Sequence, residues 1–192
     1  MAEILANGGW DLIDGQSSIR PPVLIIGLGN PILGDDGIGW RVVEQIAGYL
    51  QPSPVNEIIF PLTSSLPSGL QVEVDCLAVG GLALMERLIG YERVIIVDAL
   101  STRANSPGAI TQALLSDLPD RAFGHLCSAH DTTLQNALKV GKEMGAKLSG
   151  EIIIVGIEAA QIYDFSTELT PELLDSIPRA VELVMELIND IP

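Results

Sequence analysis

The stretch that decides the fold is residues 23–41, which read VLIIGLGNPILGDDGIGWR. Its first four residues are apolar and β-favouring, a glycine turn follows, and an apolar period typical of a helix begins at Ile38. We predict a buried strand over 23–28, a turn and then a helix. The turn contains two carboxylates, Asp35 and Asp36. It follows the carboxyl end of the first strand, where a doubly wound sheet binds its ligands.

The composition of the whole chain restricts its class. With 192 residues, 47% of them hydrophobic, and 19 glycines, the chain fits one buried α/β domain and is short for two. Its formal net charge is −15, from 25 acidic and 10 basic residues, which disfavours nucleic acid and anionic membranes as partners. No apolar run approaches the roughly 18 residues of a membrane span.

The first convincing strand is preceded by a polar segment, residues 1–22, that is punctuated by glycines. We predict that this segment is an N-terminal extension and that 23–192 is a single α/β domain. The extension lacks the basic start of a signal peptide, and Cys76 and Cys127 form no metal-binding motif. We therefore expect a cytoplasmic protein in which both cysteines are small core residues.

Strand-like and helix-like patterns alternate along the chain. The strand-like segments are 23–28, 57–62, 70–77, 94–98, 109–115 and 152–157. This alternation predicts an α/β fold with a mostly parallel but mixed, twisted sheet of about five strands, covered by helices on both faces. Apolar and acidic residues alternate in 70–77, which indicates an outer strand with one wetter face.

Two helices have recognisable boundary signals. Ser128 and Asp131 have the spacing of a capping box, which predicts a helix that starts there and has His130 in its first turn. Pro171 is predicted to start the last helix. Pro178 is predicted to break or restart it, because proline lacks the N–H that a helix interior needs.

Three side chains that are distant in sequence are predicted to meet at one edge of the sheet. Asp36 follows the first strand, Asp98 ends another, and His130 opens a helix that leads into the next strand. Right-handed crossovers bring the carboxyl ends of parallel strands to the same edge. Two carboxylates and an imidazole form a ligand set that suits Ni²⁺, Zn²⁺ or Mn²⁺.

Several acidic residues and histidines near this edge also have a structural interpretation. Asp35 is interpreted as a helix N-cap. Asp98 is either functional or a capping or salt-bridging residue, and His130 taken alone is structural or exposed. Glu158, which follows the last strand, is interpreted as solvated. His125 is assigned no role.

The glycine turn has features of two other classes of protein, both of which bind nucleotides or nucleic acid. Residues 27–32 begin like a dinucleotide-binding fingerprint, but Ile32 stands where the third glycine is needed and no ribose-binding acid follows a second strand. The string GLGNP at 27–31 also resembles peptidyl-tRNA hydrolase, whose following histidine motif is absent here. We therefore expect no nucleotide cofactor and no nucleic-acid partner.

The order of six short motifs resembles that of the hydrogenase maturation endopeptidases. The motifs are GLGN at 27–30, LGDDGIG at 33–39, VDA at 97–99, SAH at 128–130, VGIE at 155–158 and LTP at 169–171. The resemblance runs from about Val23 to the C-terminus and implies a three-layer α/β/α sandwich. It implies that 23–192 is a single protease domain.

The resemblance implies a hydrolase that removes the C-terminal extension of a nickel-iron hydrogenase large-subunit precursor after nickel insertion. It assigns both metal contact and catalysis to Asp36, Asp98 and His130, with the nickel presented by the precursor. The precursor is the implied partner, and a monomer is the simpler expectation for such an enzyme. No G-x-S-x-G or HExxH motif and no evident Cys–His pair offers another route to hydrolysis.

Two other functions remain open at this point. One is a non-catalytic, nickel-sensing docking or assembly protein, and the other is a hydrolase of small peptides that uses the same acids. The role of the metal is also open. It either polarises the carbonyl and activates water or only anchors the precursor, in which case an aspartate is the general base.

Overall fold

The computed structural model describes residues 23–50, 70–118, 133–160, 162 and 165–190. Its elements in chain order are β1 (Val23–Leu28), a 3-10 turn (Gly34–Gly37), α1 (Ile38–Leu50), β2 (Val72–Leu77), α2 (Gly81–Arg87), β3 (Arg93–Leu100), β4 (Ile110–Leu114), a second 3-10 turn (Leu115–Asp117), α3 (Leu134–Glu143), β5 (Glu151–Glu158) and α4 (Pro171–Asn189). The extension predicted at 1–22 and the strand predicted at 57–62 lie outside the described residues. None of the helices in the described ranges is long and apolar enough to cross a bilayer.

The strands form one sheet in the order β2-β1-β3-β5-β4. The first four in this order pair in parallel, and β4 pairs antiparallel with β5. The mostly parallel, mixed sheet of five strands is therefore confirmed, and β2 is an outer strand as predicted for 70–77. The four parallel strands all end on one side of the sheet, which we call the carboxyl edge.

Helices cover both faces of the sheet, which confirms the three-layer α/β/α sandwich. Successive side chains of a strand point to opposite faces, so β1 and β3 contribute to both layers. Buried residues in the layer with α1 and α4 include Val23, Ile25, Val43, Ile95, Val97 and Val184. Buried residues in the layer with α2 and α3 include Leu24, Ile26, Leu84, Ile96 and Leu134. Each such side chain contributes roughly 1.5–3 kcal/mol on removal from water.

Two glycines let α1 approach the sheet closely. A Cβ at Gly39 would lie 2.4 Å from the carbonyl oxygens of Leu28 and Val97. A Cβ at Gly27 would lie 2.4 Å from the carbonyl oxygen of Gly39. Because no side chain fits between them, the start of α1 lies directly on the ends of β1 and β3. The 3-10 turn that precedes α1 is consequently packed against β3.

The predicted break at Pro178 was wrong, because α4 runs without interruption from Pro171 to Asn189. Proline removes the hydrogen bond to the carbonyl four residues earlier, which belongs to Leu174. Leu174 is 52% exposed, so water can take the place of the missing donor. Leu173 and Val181 are fully buried on either side of the proline and hold both halves of the helix on the core.

The helix predicted to follow Ser128 has its start within the described residues, whereas Ser128 itself lies outside them. α3 begins at Leu134, and its N-cap is Thr133, whose Oγ1 accepts a hydrogen bond from the backbone N–H of Asn136 at 3.1 Å. Both Ser128 and Thr133 are residue types that cap helices, so the sequence offers two candidate caps. Thr133 is the N-cap of α3 because the apolar face of this helix begins at the next residue, the buried Leu134.

Candidate active site

The turn between β1 and α1 holds the carboxylate of Asp36 in one position. The backbone N–H of Asn30 donates to Asp36 Oδ2 at 2.7 Å, a charge-assisted hydrogen bond across the turn. Gly29 has a φ of +133°, and a Cβ there would lie 2.0 Å from the carbonyl oxygen of Asp36. The turn can therefore close only with glycine at this position. Asp36 is 2% exposed, so its carboxylate is fixed within the protein.

Asp98 lies in β3, the middle strand of the sheet, and is fully buried. The strand continues to Leu100, two residues beyond the end predicted from the sequence. In the register of the sheet, Asp98 stands opposite Gly156 of β5. It shares a strand face with Ile96, and that face is covered by α2 and α3. The structure thus places Asp98 in β3 and Asp36 in a turn that packs against β3, both at the carboxyl edge.

The third predicted ligand, His130, lies outside the described residues, as does His125. His130 precedes the N-cap of α3 by three residues, and α3 covers the face of the sheet that carries Asp98. Within the described ranges, no group of three or more histidine, cysteine and acidic residues is arranged to hold a metal. The three-residue set of Asp36, Asp98 and His130 therefore stays a prediction.

Asp35 is not the helix N-cap that the sequence suggested. It lies inside the 3-10 turn, and no side chain caps that turn. Its Oδ1 accepts a hydrogen bond from the backbone N–H of Thr170 at 2.8 Å, and its Oδ2 accepts from the Thr170 hydroxyl at 3.2 Å and from the N–H of Ala160 at 3.3 Å. Asp35 is fully buried. Its carboxylate ties the turn to the residues that follow β5 and to the start of α4.

Glu158 is not a solvated residue at the end of a strand, because it is only 3% exposed. Its Oε2 accepts a hydrogen bond from the Thr102 hydroxyl at 2.6 Å, and its Oε1 accepts from the backbone N–H of Arg103 at 2.7 Å. Glu158 therefore holds the loop that follows β3. No signal in the neighbouring sequence marks this carboxylate as buried, because its partners Thr102 and Arg103 are 56 and 55 positions away.

The outer strand β2 has one polar face, as predicted. Arg87 of α2 bonds with Glu73 and Asp75 of this strand, and Tyr91 donates to Glu73 Oε2 at 2.7 Å. Burial opposes the charge of Arg87, but hydrogen bonds to Tyr91, Asp75 and Glu73 raise its pKa further above the range in which it could lose its proton. In Tyr91, by contrast, burial raises the pKa of the hydroxyl, because it disfavours the charged form. This network joins α2 to the sheet.

Cys76 of β2 is half-buried and packs against the core layer of α1 and α4, so the prediction of a core position holds in part. Burial, followed by the negative charges of Glu44 and Asp75, raises the pKa of the thiol to about 11. The thiol is therefore protonated at neutral pH, which is the opposite of an activated nucleophile. Cys127 lies outside the described residues.

Comparison with known proteins gives a consistent result. The family model of the HycI hydrogenase maturation proteases matches residues 71–187, which is more than half of the chain. The hydrogenase expression/formation protein HupD of Rhodobacter capsulatus is 27% identical over 166 residues, covering 86% of this chain and 70% of that protein. The family match includes Asp98 and His130 and begins after Asp36.

Solved structures of similar fold agree with the sequence comparison. The hydrogenase maturating endopeptidase HybD of Escherichia coli superposes with a TM-score of 0.64 at 21% identity, covering 88% of this chain and 92% of that one. A hydrogenase 2 maturation peptidase from a Thaumarchaeota archaeon superposes with a TM-score of 0.54 at 26% identity, covering 86% and 97%. The resemblance indicated by the motifs and the expectation of a peptidase are both confirmed. The chain belongs to the hydrogenase maturation proteases.

Proposed function

We propose that the protein is an endopeptidase that removes the C-terminal extension from the precursor of a nickel-iron hydrogenase large subunit after nickel insertion. The substrate is then a nickel-loaded protein, and the nickel arrives with it. Asp36, Asp98 and His130 are the groups that contact the nickel and the bond to be cut. We place this step in the cytoplasm, where a free thiol such as Cys76 stays reduced.

One observation carries the assignment of the site. Asp36 is buried and held by the N–H of Asn30 at the carboxyl edge, in a turn packed against the strand that carries Asp98. A carboxylate whose position is fixed before the substrate arrives loses little conformational entropy on binding. Two carboxylates with an imidazole suit Ni²⁺ and leave coordination positions for ligands from the precursor.

Hydrolysis of the peptide bond requires an activated water, a polarised carbonyl and a proton for the leaving amine. In one assignment of roles, Asp36, Asp98 and His130 would hold the nickel of the precursor, and the ion would supply polarisation of the carbonyl and a lowered pKa of water. In the other, the same contacts only position the precursor, and an aspartate takes the proton of the water. The first assignment predicts a cleavage rate that depends on which divalent ion the precursor carries. The second predicts equal rates for ions bound in the same geometry.

Exposed apolar side chains at the same edge support a protein as the substrate. Ile32 lies in the turn after β1 and is 51% exposed, and Phe165 lies after β5 and is 87% exposed. The two segments are joined because Ser166 N–H donates to the carbonyl of Ile32 at 3.1 Å. Val79 and Leu82, which follow β2, are exposed as well. An apolar rim around a site indicates contact with the surface of another protein.

The test is the intact mass of a nickel-loaded large-subunit precursor before and after incubation with this protein, beside a nickel-free precursor. We expect one C-terminal peptide to be lost from the nickel-loaded sample only. A stable complex with no change in the mass of the precursor would instead support a non-catalytic docking protein. Cleavage of short peptides without nickel would support a hydrolase of small peptides.

A further inference from the structure

A cavity of about 370 Å³ opens at the carboxyl edge, beside the candidate active site. One wall is the loop that follows β3, including Arg103 and Asn105, and the other is formed by residues that follow β5, including Ile162. Buried Glu158 lies between them. The volume is within the range of about 300–1,000 Å³ that is common for pockets that bind small molecules or short segments.

The wall formed by the loop is held rigidly by Glu158. Its carboxylate accepts hydrogen bonds from the Thr102 hydroxyl and the Arg103 N–H, which fixes the start of the loop. Its backbone pairs with the end of the loop, because Gly108 N–H donates to the Glu158 carbonyl at 2.8 Å and Glu158 N–H donates to the Ala109 carbonyl at 2.9 Å. Arg103 has a φ of +58°, a left-handed conformation that costs a non-glycine residue free energy. The surrounding contacts keep Arg103 in this conformation.

An exposed cation, Arg103, lines the cavity although the chain as a whole is acidic. The net charge is −15, and Arg41, Arg87 and Arg93 are each in a salt bridge with a carboxylate. Arg103 is exposed and, like Arg179 of α4, forms no salt bridge with any other residue in the described ranges, but Arg103 lines this cavity. Its guanidinium therefore offers planar, two-pronged binding to a carboxylate from outside the chain.

The cavity is also close to the proposed site of cleavage. Ser101, which lines the cavity, follows Asp98 by only three positions in the chain. Three extended residues span at most about 10 Å. A peptide cut beside Asp98 therefore needs only a few residues to reach Arg103.

We propose that this cavity binds the part of the precursor that follows the bond to be cut, and that Arg103 binds a carboxylate of that segment. This assignment rests on the proposed function and adds the subsite that holds the leaving peptide. The carboxylate belongs either to an acidic side chain or to the C-terminus of the extension. Both have the same chemistry, and the experiment separates them.

The experiment combines cleavage kinetics with direct binding. Nickel-loaded precursor is cut by wild-type enzyme and by the Arg103→Gln, Arg103→Gly and Arg103→Lys variants. The matched control is Arg179→Gln, which removes an exposed arginine from the middle of α4. In parallel, fluorescence anisotropy measures binding of the labelled extension peptide as the free acid, as the C-terminal amide and with its acidic side chains changed to amides.

We expect Arg103→Gln and Arg103→Gly to raise KM about three- to fivefold, as for loss of an exposed ion pair, and to leave kcat nearly unchanged. Arg103→Lys restores only part of the loss, because it keeps the charge without the two-pronged geometry, and high salt weakens peptide binding to wild type but hardly affects Arg103→Gln. If one of the modified peptides binds to wild type and to Arg103→Gln with equal affinity, the carboxylate that this peptide lacks is the one that Arg103 binds. Arg103→Gly keeps the test valid for folding, because glycine adopts a φ of +58° without strain.

Wild-type KM and wild-type peptide binding in Arg103→Gln would overturn this assignment and leave the protease function standing. Failure of the wild-type enzyme to cut any nickel-loaded precursor would overturn the proposed function instead. In that case the anisotropy measurements still decide whether Arg103 binds a peptide carboxylate. An equal rise of KM in Arg179→Gln would also overturn the assignment of the cavity, because the effect would then depend on the total charge of the protein and not on Arg103.

Discussion

The backbone N–H of Thr170 donates to the carboxylate of Asp35 at 2.8 Å, although the two residues are 135 positions apart in the chain. The same carboxylate accepts from Ala160, so it joins the turn that bears Asp36 to the end of β5 and the start of α4. Neighbouring acidic residues thus have separate tasks. Asp35 fixes the position of the turn, and Asp36 is the group that we propose to contact the substrate.

Asp35→Ala is expected to lower the free energy of unfolding by about 2 kcal/mol, because it removes a buried carboxylate that accepts hydrogen bonds from the N–H groups of Thr170 and Ala160. Urea denaturation followed by circular dichroism measures the loss. The control is Thr170→Ser, which keeps the hydroxyl and the backbone donor and should cost less than about 1 kcal/mol. An Asp35→Ala protein as stable as wild type would show that these hydrogen bonds do not hold the turn.

Gly29 in the first turn and Gly48 in α1 should respond to substitution in opposite directions. Gly29→Ala forces a Cβ to 2.0 Å from the Asp36 carbonyl oxygen at a positive φ, so we expect a clear loss of both stability and cleavage. Gly48→Ala places a Cβ in open space within α1 and should raise stability by about 0.5–1 kcal/mol. Thermal melts of wild type and of both variants measure these effects. Equal melting temperatures for Gly29→Ala and Gly48→Ala would contradict the geometry of the turn.

The thiol of Cys76 should react slowly with alkylating agents in the folded protein. Its pKa is raised from 9.0 to about 11, so the thiolate fraction at neutral or mildly alkaline pH falls about a hundredfold. In a Cys127→Ser variant, Cys76 is the only thiol, and alkylation is followed by mass. The same protein in concentrated urea is the control, because unfolding restores an ordinary pKa. Equal rates in both conditions would contradict the burial of the thiol.

The parts of the fold that depend on local sequence were predictable. A run of apolar residues that ends in an acid identified β3 and placed Asp98 near its carboxyl end, and the glycine turn placed Asp36 after β1. Alternation of acidic and apolar residues identified β2 as an outer strand. These features follow from the periodicity of strands and from turn chemistry within a few residues.

The wrong predictions concern interactions between distant residues. The partners of Asp35 are 125 and 135 positions away, and the partners of Glu158 are 55 and 56 positions away, so no local pattern reveals them. α4 continues through Pro178 because packing on the core outweighs the missing hydrogen bond. Local rules describe what a residue prefers alone, and tertiary contacts override them at such positions.

The most direct test is the intact-mass assay on nickel-loaded precursor with wild type, Asp36→Asn, Asp98→Asn and the control Asp190→Asn, which changes an exposed aspartate at the far end of α4. The amide keeps the size of each side chain, and circular dichroism confirms folding before the assay. We predict that Asp36→Asn and Asp98→Asn slow the loss of the C-terminal peptide by at least about a hundredfold, while Asp190→Asn cuts like wild type. Cleavage by Asp98→Asn at the wild-type rate would contradict the account.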